Sequence, residues 1–198
     1  MNNRNKQVQI LLQKLLNLFS ASDFNSVIHQ CKKYIKIYPE YVILYNLLGS
    51  SYMNTGNYNL AKETFTKAKQ LDPTNISVWN NLANAEKNIF NFNEAEQLFK
   101  KIIEKAPEYL NAYVNYGNLK RDLNKFNDSN DLYKLALEID KKHPIVLYSL
   151  AMNYQALGDF KLSIEFAHKV LKINPSYTKA DLLISKSHKY KIKDPHLI

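Results

Sequence analysis

Residues 45–73, YNLLGSSYMNTGNYNLAKETFTKAKQLDP, carry the pattern that decides the fold. Their apolar side chains form two stripes with the spacing of an α-helix, made of Tyr45, Leu48 and Tyr52 and then of Ala61, Phe65 and Ala68. Gly56 lies between the stripes, where glycine can adopt a positive φ at little cost. Pro73 follows the second stripe and stops a helix, because proline lacks the amide donor. The stretch therefore predicts two helices joined by a tight turn.

The same hairpin pattern recurs along the chain with a fixed period. Pro39, Pro73 and Pro107 are 34 residues apart, and Pro175 follows after twice that distance. Rows of 34 residues with the proline at place 32 cover 8–41, 42–75, 76–109, 110–143 and 144–177, and leave a remnant at 178–198. This period is typical of helical-hairpin solenoids, in which each hairpin buries its apolar face against its neighbours. We therefore expect an all-α fold in one elongated domain, residues 1–198, with a closing helix and a tail in the remnant.

Equivalent places of the rows hold similar side chains. Place 8 reads Leu15, Gly49, Ala83, Gly117 and Ala151. Place 17 is aromatic in every row, with Phe24, Tyr58, Phe92, Phe126 and Phe160. Small residues are expected where two helices approach closely, and large ones where space must be filled. Leu15 departs from this pattern and marks row one as an atypical end repeat.

With these columns in view, the rows resemble tetratricopeptide repeats (TPR), and the resemblance covers about residues 8–191. It implies a right-handed α-solenoid of five helical hairpins plus a C-terminal capping helix. It also implies that the first helix of each hairpin lines a concave groove, with places 2, 5, 6, 9, 12 and 13 facing it. A groove of this kind binds a peptide or a partner helix.

Reading those places in rows three and four gives a face rich in carboxamides. Its members are Asn80, Asn81, Asn84, Lys87, Asn88, Asn111, Asn115, Asn118, Arg121 and Asp122. An asparagine side chain offers two donors and an acceptor, so it can bind the backbone of an extended peptide. The segments 81–84 and 115–121 resemble O-GlcNAc-transferase-type TPR superhelices, whose asparagine ladder binds substrate chains. Asparagine is abundant throughout this chain, however, and the ladder place is Leu47 in row two and Ser149 in row five.

The corresponding face of row five is apolar. Ile145, Tyr148 and Met152 are spaced i, i+3, i+7 on one first helix. Tyr148 and Met152 are therefore candidate contacts for a hydrophobic anchor of a partner. The alternative is that the last helix covers the stripe. Leu182, Leu183 and Ile184 are expected on the side of that helix that covers row five.

The sequence contains no motif typical of a catalytic, phosphate-binding or metal-binding site. It has no phosphate-binding glycine loop, no zinc-ligand spacing and no nucleophile elbow. We therefore expect no catalytic residue, no metal site and no cofactor.

Charge and composition limit the classes of partner. The formal net charge is +9, but the basic residues are spread over all rows, and the aromatic residues that could stack on bases occupy packing columns. The sequence thus argues against nucleic-acid binding. No segment approaches the ~18 consecutive apolar residues that span a membrane. The single cysteine, Cys31, lies in a core column at place 24, which favours a buried thiol and a cytoplasmic protein.

The function predicted from the sequence is a non-catalytic scaffold that binds a protein or peptide in its groove. The alternative is a substrate-recruiting N-terminal module of a glycosyltransferase or sulfotransferase whose catalytic domain is absent from this chain. Residues 185–191 with Asp194-Pro195-His196 resemble the junction after the repeats of some bacterial TPR-sulfotransferases. Self-association through the C-terminal end is compatible with either function.

Overall fold

The computed structural model describes residues 3–193, and describes the side chains of residues 7–187. Over that range the chain is all-α. Its helices are α1 (Asn3–Ser20), α2 (Phe24–Ile35), α3 (Val42–Asn54), α4 (Tyr58–Leu71), α5 (Ile76–Asn88), α6 (Phe92–Lys105), α7 (Leu110–Asp122), α8 (Phe126–Ile139), α9 (Pro144–Ala156), α10 (Phe160–Ile173) and α11 (Thr178–Lys193). The four inner row boundaries drawn from the sequence coincide with the first residues of α3, α5, α7 and α9. The expected all-α hairpin architecture is confirmed.

Side chains immediately before several helices satisfy the free amides of the first turn. Asn75 Oδ1 accepts a hydrogen bond from the Val78 N–H at 3.2 Å before α5. His143 Nδ1 accepts one from the Val146 N–H at 3.4 Å before α9, whose first residue is Pro144. Such capping fixes where a first helix begins, because the first amides of a helix have no partner within it.

The turn inside every hairpin uses a left-handed residue at place 15. The φ values are 60° for Ser22, 74° for Gly56, 65° for Phe90, 58° for Asn124 and 78° for Gly158. The sequence predicts such a turn at Gly56, and the same place holds Asn124 and Gly158, whose residue types also favour it, whereas Ser22 and Phe90 do not. A bulky residue rarely adopts this conformation, so the repeat register overrides the local preference of Phe90. Its ring is 78% exposed and lies 5.9 Å, centroid to centroid, from that of Phe92.

The side chains at places 8 and 24 of a hairpin fill one shared space, so a small residue at one place accompanies a larger residue at the other. A Cβ built on Gly117 would lie 2.5 Å from Cε1 of Tyr133, and one built on Gly49 would lie 2.5 Å from Cε1 of Phe65. These aromatic rings therefore occupy the space that a side chain at place 8 would fill. Row one reverses the sizes, with Leu15 at place 8 and Cys31 at place 24, and both side chains are fully buried in one cluster. The large Leu15 is accommodated because its partner is small, and Cys31 is a core residue as the sequence predicts.

The contacts divide the chain into two compact units, Met1–Ile102 and Ile103–Ile198. The main apolar cluster of the first unit joins α1 to α5 and includes Leu44, Leu48 and Phe65. The organisation as one continuous domain stays a prediction.

The second unit contains a buried polar network between two consecutive hairpins. The Asn153 side-chain amide on α9 donates to Ser129 Oγ and to Asn130 Oδ1 on α8, at 2.9 Å each. Ser129 Oγ donates in turn to the Gly117 carbonyl oxygen on α7 at 2.8 Å. An apolar cluster that includes Val146 and Leu150 lies beside it. The network ties α7, α8 and α9 together.

The last helix, α11, covers part of row five. Ala180 and Leu183 are buried in a cluster with Leu147, Ala151 and Val170. Leu182, which the sequence placed on the same covering side, is instead 61% exposed. One residue corresponds to 100° around a helix, so Leu182 and Leu183 cannot both face α10. The tail Asp194–Ile198 lies outside the described residues.

Candidate functional site

The best-formed part of the predicted asparagine ladder lies on α3 and α5 of the first unit. The Asn81 Nδ2 donates to Asn46 Oδ1 at 2.8 Å, which joins the first helices of two successive rows. The two residues are partly exposed, and so is Asn84 one turn further along α5. We call Asn46, Asn81 and Asn84 the amide face. After the Asn46–Asn81 bond is made, this pair still presents the Asn81 oxygen and the Asn46 amide group to a ligand.

Asn46 is the member that the sequence reasoning missed. The sequence placed the row-two member of the ladder at place 6, which is Leu47, and Leu47 is buried in the apolar cluster. The structure shows that place 5 of row two, Asn46, meets place 6 of row three, Asn81. Asparagine at place 5 of row two and at place 6 of row three could therefore have identified this pair from the sequence.

The other predicted contacts on α5 are less available. Asn80 is only 5% exposed, so little of its side chain can contact a partner. The Asn88 Nδ2 donates to the Asn84 backbone oxygen at 2.7 Å, which commits one of its donors to its own helix. Lys87 is half-buried.

On α7, in the second unit, one ladder residue has a structural partner. The Tyr133 hydroxyl donates to Asn118 Oδ1 at 2.7 Å. Tyr133 is fully buried, and burial raises the pKa of its phenol, with the nearby Arg121 guanidinium opposing the rise. The phenol therefore stays protonated and keeps donating. Row three has Phe99 at the place of Tyr133, so Asn84 receives no such bond from that place.

The remaining predicted residues of α7 differ in exposure. Asn111 and Asp122 are exposed, whereas Asn115 and Arg121 are half-buried. The structure thus brings together the amide face on the first unit, and leaves the asparagines of α7 with different environments.

The apolar stripe on α9 is only partly covered. The Tyr148 ring packs against that of Tyr177 at 5.3 Å between centroids. Burial raises the pKa of Tyr148, with a further contribution from Tyr177. Ile145 is 57% exposed and Met152 is 39% exposed, so these two side chains remain on the surface.

Reactive groups are sparse in the described part of the chain. Burial raises the pKa of the Cys31 thiol to about 12, so this thiol is protonated at neutral pH. Among the described residues, no group of three or more His, Cys, Asp and Glu side chains could bind a metal ion. Among residues 3–193, no helix combines the length and apolar character needed to cross a membrane.

Consecutive helical hairpins with a 34-residue period define the class of this protein as a TPR α-solenoid. The family model described as the tetratricopeptide repeat protein 21 C-terminal ARM domain matches residues 2–185. The chain therefore belongs to this family.

Solved structures support the same fold. The thermophilic TPR protein TTC0263 of Thermus thermophilus superimposes with a TM-score of 0.79 at 16% identity, covering 90% of this chain and 97% of that one. PilF of Pseudomonas aeruginosa gives a TM-score of 0.79 at 17% identity, covering 96% and 86%. Yeast Tom70 gives 0.70 at 23% identity, covering 83% of this chain and 36% of its own. No curated protein matches the chain.

Proposed function

We propose that this protein is a non-catalytic interaction scaffold that binds an extended peptide segment of a partner protein on its amide face. The observation that carries the proposal is the hydrogen bond between Asn81 and Asn46. It orients two carboxamides on neighbouring first helices, with at least one donor and one acceptor uncommitted. A peptide backbone presents the same two groups at regular intervals, whatever its side chains are.

The surroundings of the amide face suit this task. Asn81 and Asn84 lie three residues apart on one side of α5, roughly 4.5 Å along the helix axis. A residue of extended chain spans about 3.3 Å, so the pair can reach neighbouring peptide groups of one bound strand. The resemblance to asparagine-ladder TPR arrays supports the same use. The lone cysteine, buried as a thiol, supports a reducing, cytoplasmic location.

The test is a peptide-binding comparison of two asparagine variants. Peptides selected from a random display library on the full chain serve as ligands. Asn81→Ala/Asn84→Ala should weaken binding by about 1 kcal/mol for each hydrogen bond lost. Asn93→Ala, which removes an exposed carboxamide from α6, is the matched control and should bind as wild type does.

Circular dichroism must show equal helicity for the three proteins. If no selected peptide distinguishes Asn81→Ala/Asn84→Ala from Asn93→Ala, the peptide site is not on the amide face.

A further inference from the structure

The corresponding face of the second unit has a different chemistry. Three apolar side chains are exposed there: Ile145 at 57% and Met152 at 39% on α9, and Leu182 at 61% on α11. Met152 and Leu182 line one cavity together with Tyr148. We call Ile145, Met152 and Leu182, with the basic residues described next, the basic-apolar face.

The rim of this cavity is positively charged. Lys179 and Lys186 on α11 both line the cavity and both are exposed. Arg121 on α7 does not line the cavity itself, but it acts electrostatically on Tyr148, which does. Within the part of the chain that the structure describes, none of these three cations forms an ion pair. The neighbouring carboxylates, Asp122 and Asp181, do not line the cavity.

The size of the cavity limits what can occupy it. Its volume is about 190 Å³, below the ~300–1,000 Å³ of sites that enclose a drug-sized molecule. It can accept one apolar side chain of a larger partner. The exposed Ile145, seven residues before Met152, lies two helical turns away on the same side of α9, which suits a second apolar contact.

We infer that the basic-apolar face binds an acidic amphipathic segment of a partner protein, with an apolar anchor in the cavity and carboxylates opposite Lys179 and Lys186. The positive charge of the rim favours a negatively charged partner, because unpaired cations next to an apolar patch attract carboxylates in preference to a neutral or basic chain. The apolar side chains supply the burial that surface ion pairs alone do not provide. This inference rests on the proposed scaffold function and assigns a partner class to a surface separate from the amide face.

The experiment uses the same random display library, selected on the full chain. We expect a class of selected peptides that carries net negative charge and at least two apolar residues. Charge reversal in Lys179→Glu/Lys186→Glu should lower the affinity of that class by about tenfold or more, and raising the salt to 1 M should weaken wild-type binding, because the Debye length falls to about 3 Å. Lys161→Glu/Lys172→Glu, the same charge change on exposed lysines of α10, should leave binding within about twofold.

A second variant separates binding from folding. Because Leu182 is exposed, Leu182→Ser should keep the melting temperature of wild type and still weaken the acidic peptides several-fold. Asn81→Ala/Asn84→Ala should not affect this class, so a failure of the amide face and a failure of this face give different results.

Several outcomes overturn the inference. One is a display selection that yields only neutral or basic peptides, or that yields no binding peptide. Another is equal loss of binding in the α10 control, which indicates general attraction to a basic protein. Self-association that is lost in Leu182→Ser assigns the face to a second copy of the chain. Acidic-peptide binding that appears only in a chain ending at Ile192 assigns it to the chain's own tail.

Discussion

Placing a leucine at Gly117 should destabilise the second unit, because the space is already filled by Tyr133. The Cβ alone would lie 2.5 Å from Tyr133 Cε1 and 2.8 Å from Cδ1, well inside van der Waals contact. The ring cannot easily move away, since Tyr133 is fully buried and its hydroxyl is bonded to Asn118. Overpacking of this kind costs about 1–3 kcal/mol.

The expected net effect is smaller, because leucine is the better helix former. Replacing a glycine inside a helix by a better helix former stabilises the folded state by about 0.5–1 kcal/mol. Because the added Cβ would lie 2.5 Å from a fixed ring, we expect the overpacking cost in the upper half of that range, so Gly117→Leu should lower the free energy of unfolding by about 1–2.5 kcal/mol and the melting temperature by roughly 2–10 °C. Asn111→Leu, at an exposed place on the same helix, is the control and should stay within about 0.5 kcal/mol of wild type.

Row one suggests how to rescue the variant. Combining Gly117→Leu with Tyr133→Cys copies the native pair Leu15 and Cys31 into row four. Tyr133→Cys alone leaves a cavity and should cost several kcal/mol, typically about 3–5. The double variant should be more stable than the sum of the two single effects predicts, with a coupling of about 0.5–3 kcal/mol.

Urea unfolding followed by circular dichroism measures the stability of wild type and of the four variants. A neutral Gly117→Leu, or a double variant whose effect is the plain sum of the two, would refute the sharing of space between places 8 and 24. Ala83→Leu repeats the test in row three of the first unit, where Ala83 and Phe99 hold places 8 and 24 and are both fully buried.

Three further predictions follow from the turns, the thiol and the last helix. Gly56→Ala and Gly158→Ala should each lower the free energy of unfolding by about 1–2 kcal/mol, because both residues have positive φ although nothing lies near the added Cβ; Asn124→Gly, at the same place of row four, should not be destabilising in the same melts. Cys31, with its pKa raised to about 12, should react with a thiol reagent at pH 8.5 only after unfolding. The thiol ionises near pH 8.5 in the unfolded chain but not in the folded one, so the melting temperature should fall as the pH rises above 8.5. A chain ending at Tyr177 should aggregate or dimerise in sedimentation experiments, since it lacks the helix that covers row five, and unchanged solubility would remove the capping role.

The fold could be predicted from the sequence because the information repeats. Each row is weak evidence for a hairpin, but the shared register places the starts of α3, α5, α7 and α9 to the residue; among the described helices only α1, which begins at Asn3 before row one, departs from it. The same register explains why the turns at Ser22 and Phe90 form against local preference. A single row read alone would not have predicted a left-handed phenylalanine.

The candidate site was less predictable, because its chemistry depends on side-chain direction. Asn84 and Asn118 occupy the same place of successive rows and look equivalent in the sequence. The residue at place 24 makes them different, since Tyr133 reaches Asn118 with a hydroxyl and Phe99 has none to offer Asn84. Likewise, the sequence counted Leu182 among the covering residues, and only the rotation of α11 shows that it faces outward.

A chain of hairpins with similar packing columns must also prevent a row from packing on the wrong neighbour, and the buried amide of Asn153 provides a means. Its Nδ2 donates to Ser129 Oγ and Asn130 Oδ1 in row four, whereas its Oδ1 has no hydrogen-bond partner among the described residues. The same two places hold Ala61 and Lys62 in row two, so a mispaired row five would bury its carboxamide beside a methyl group. Leaving the Nδ2 donors without acceptors as well costs about 1–3 kcal/mol. A few buried polar atoms thus specify which row packs against which. The apolar columns cannot do this, because they are alike from row to row.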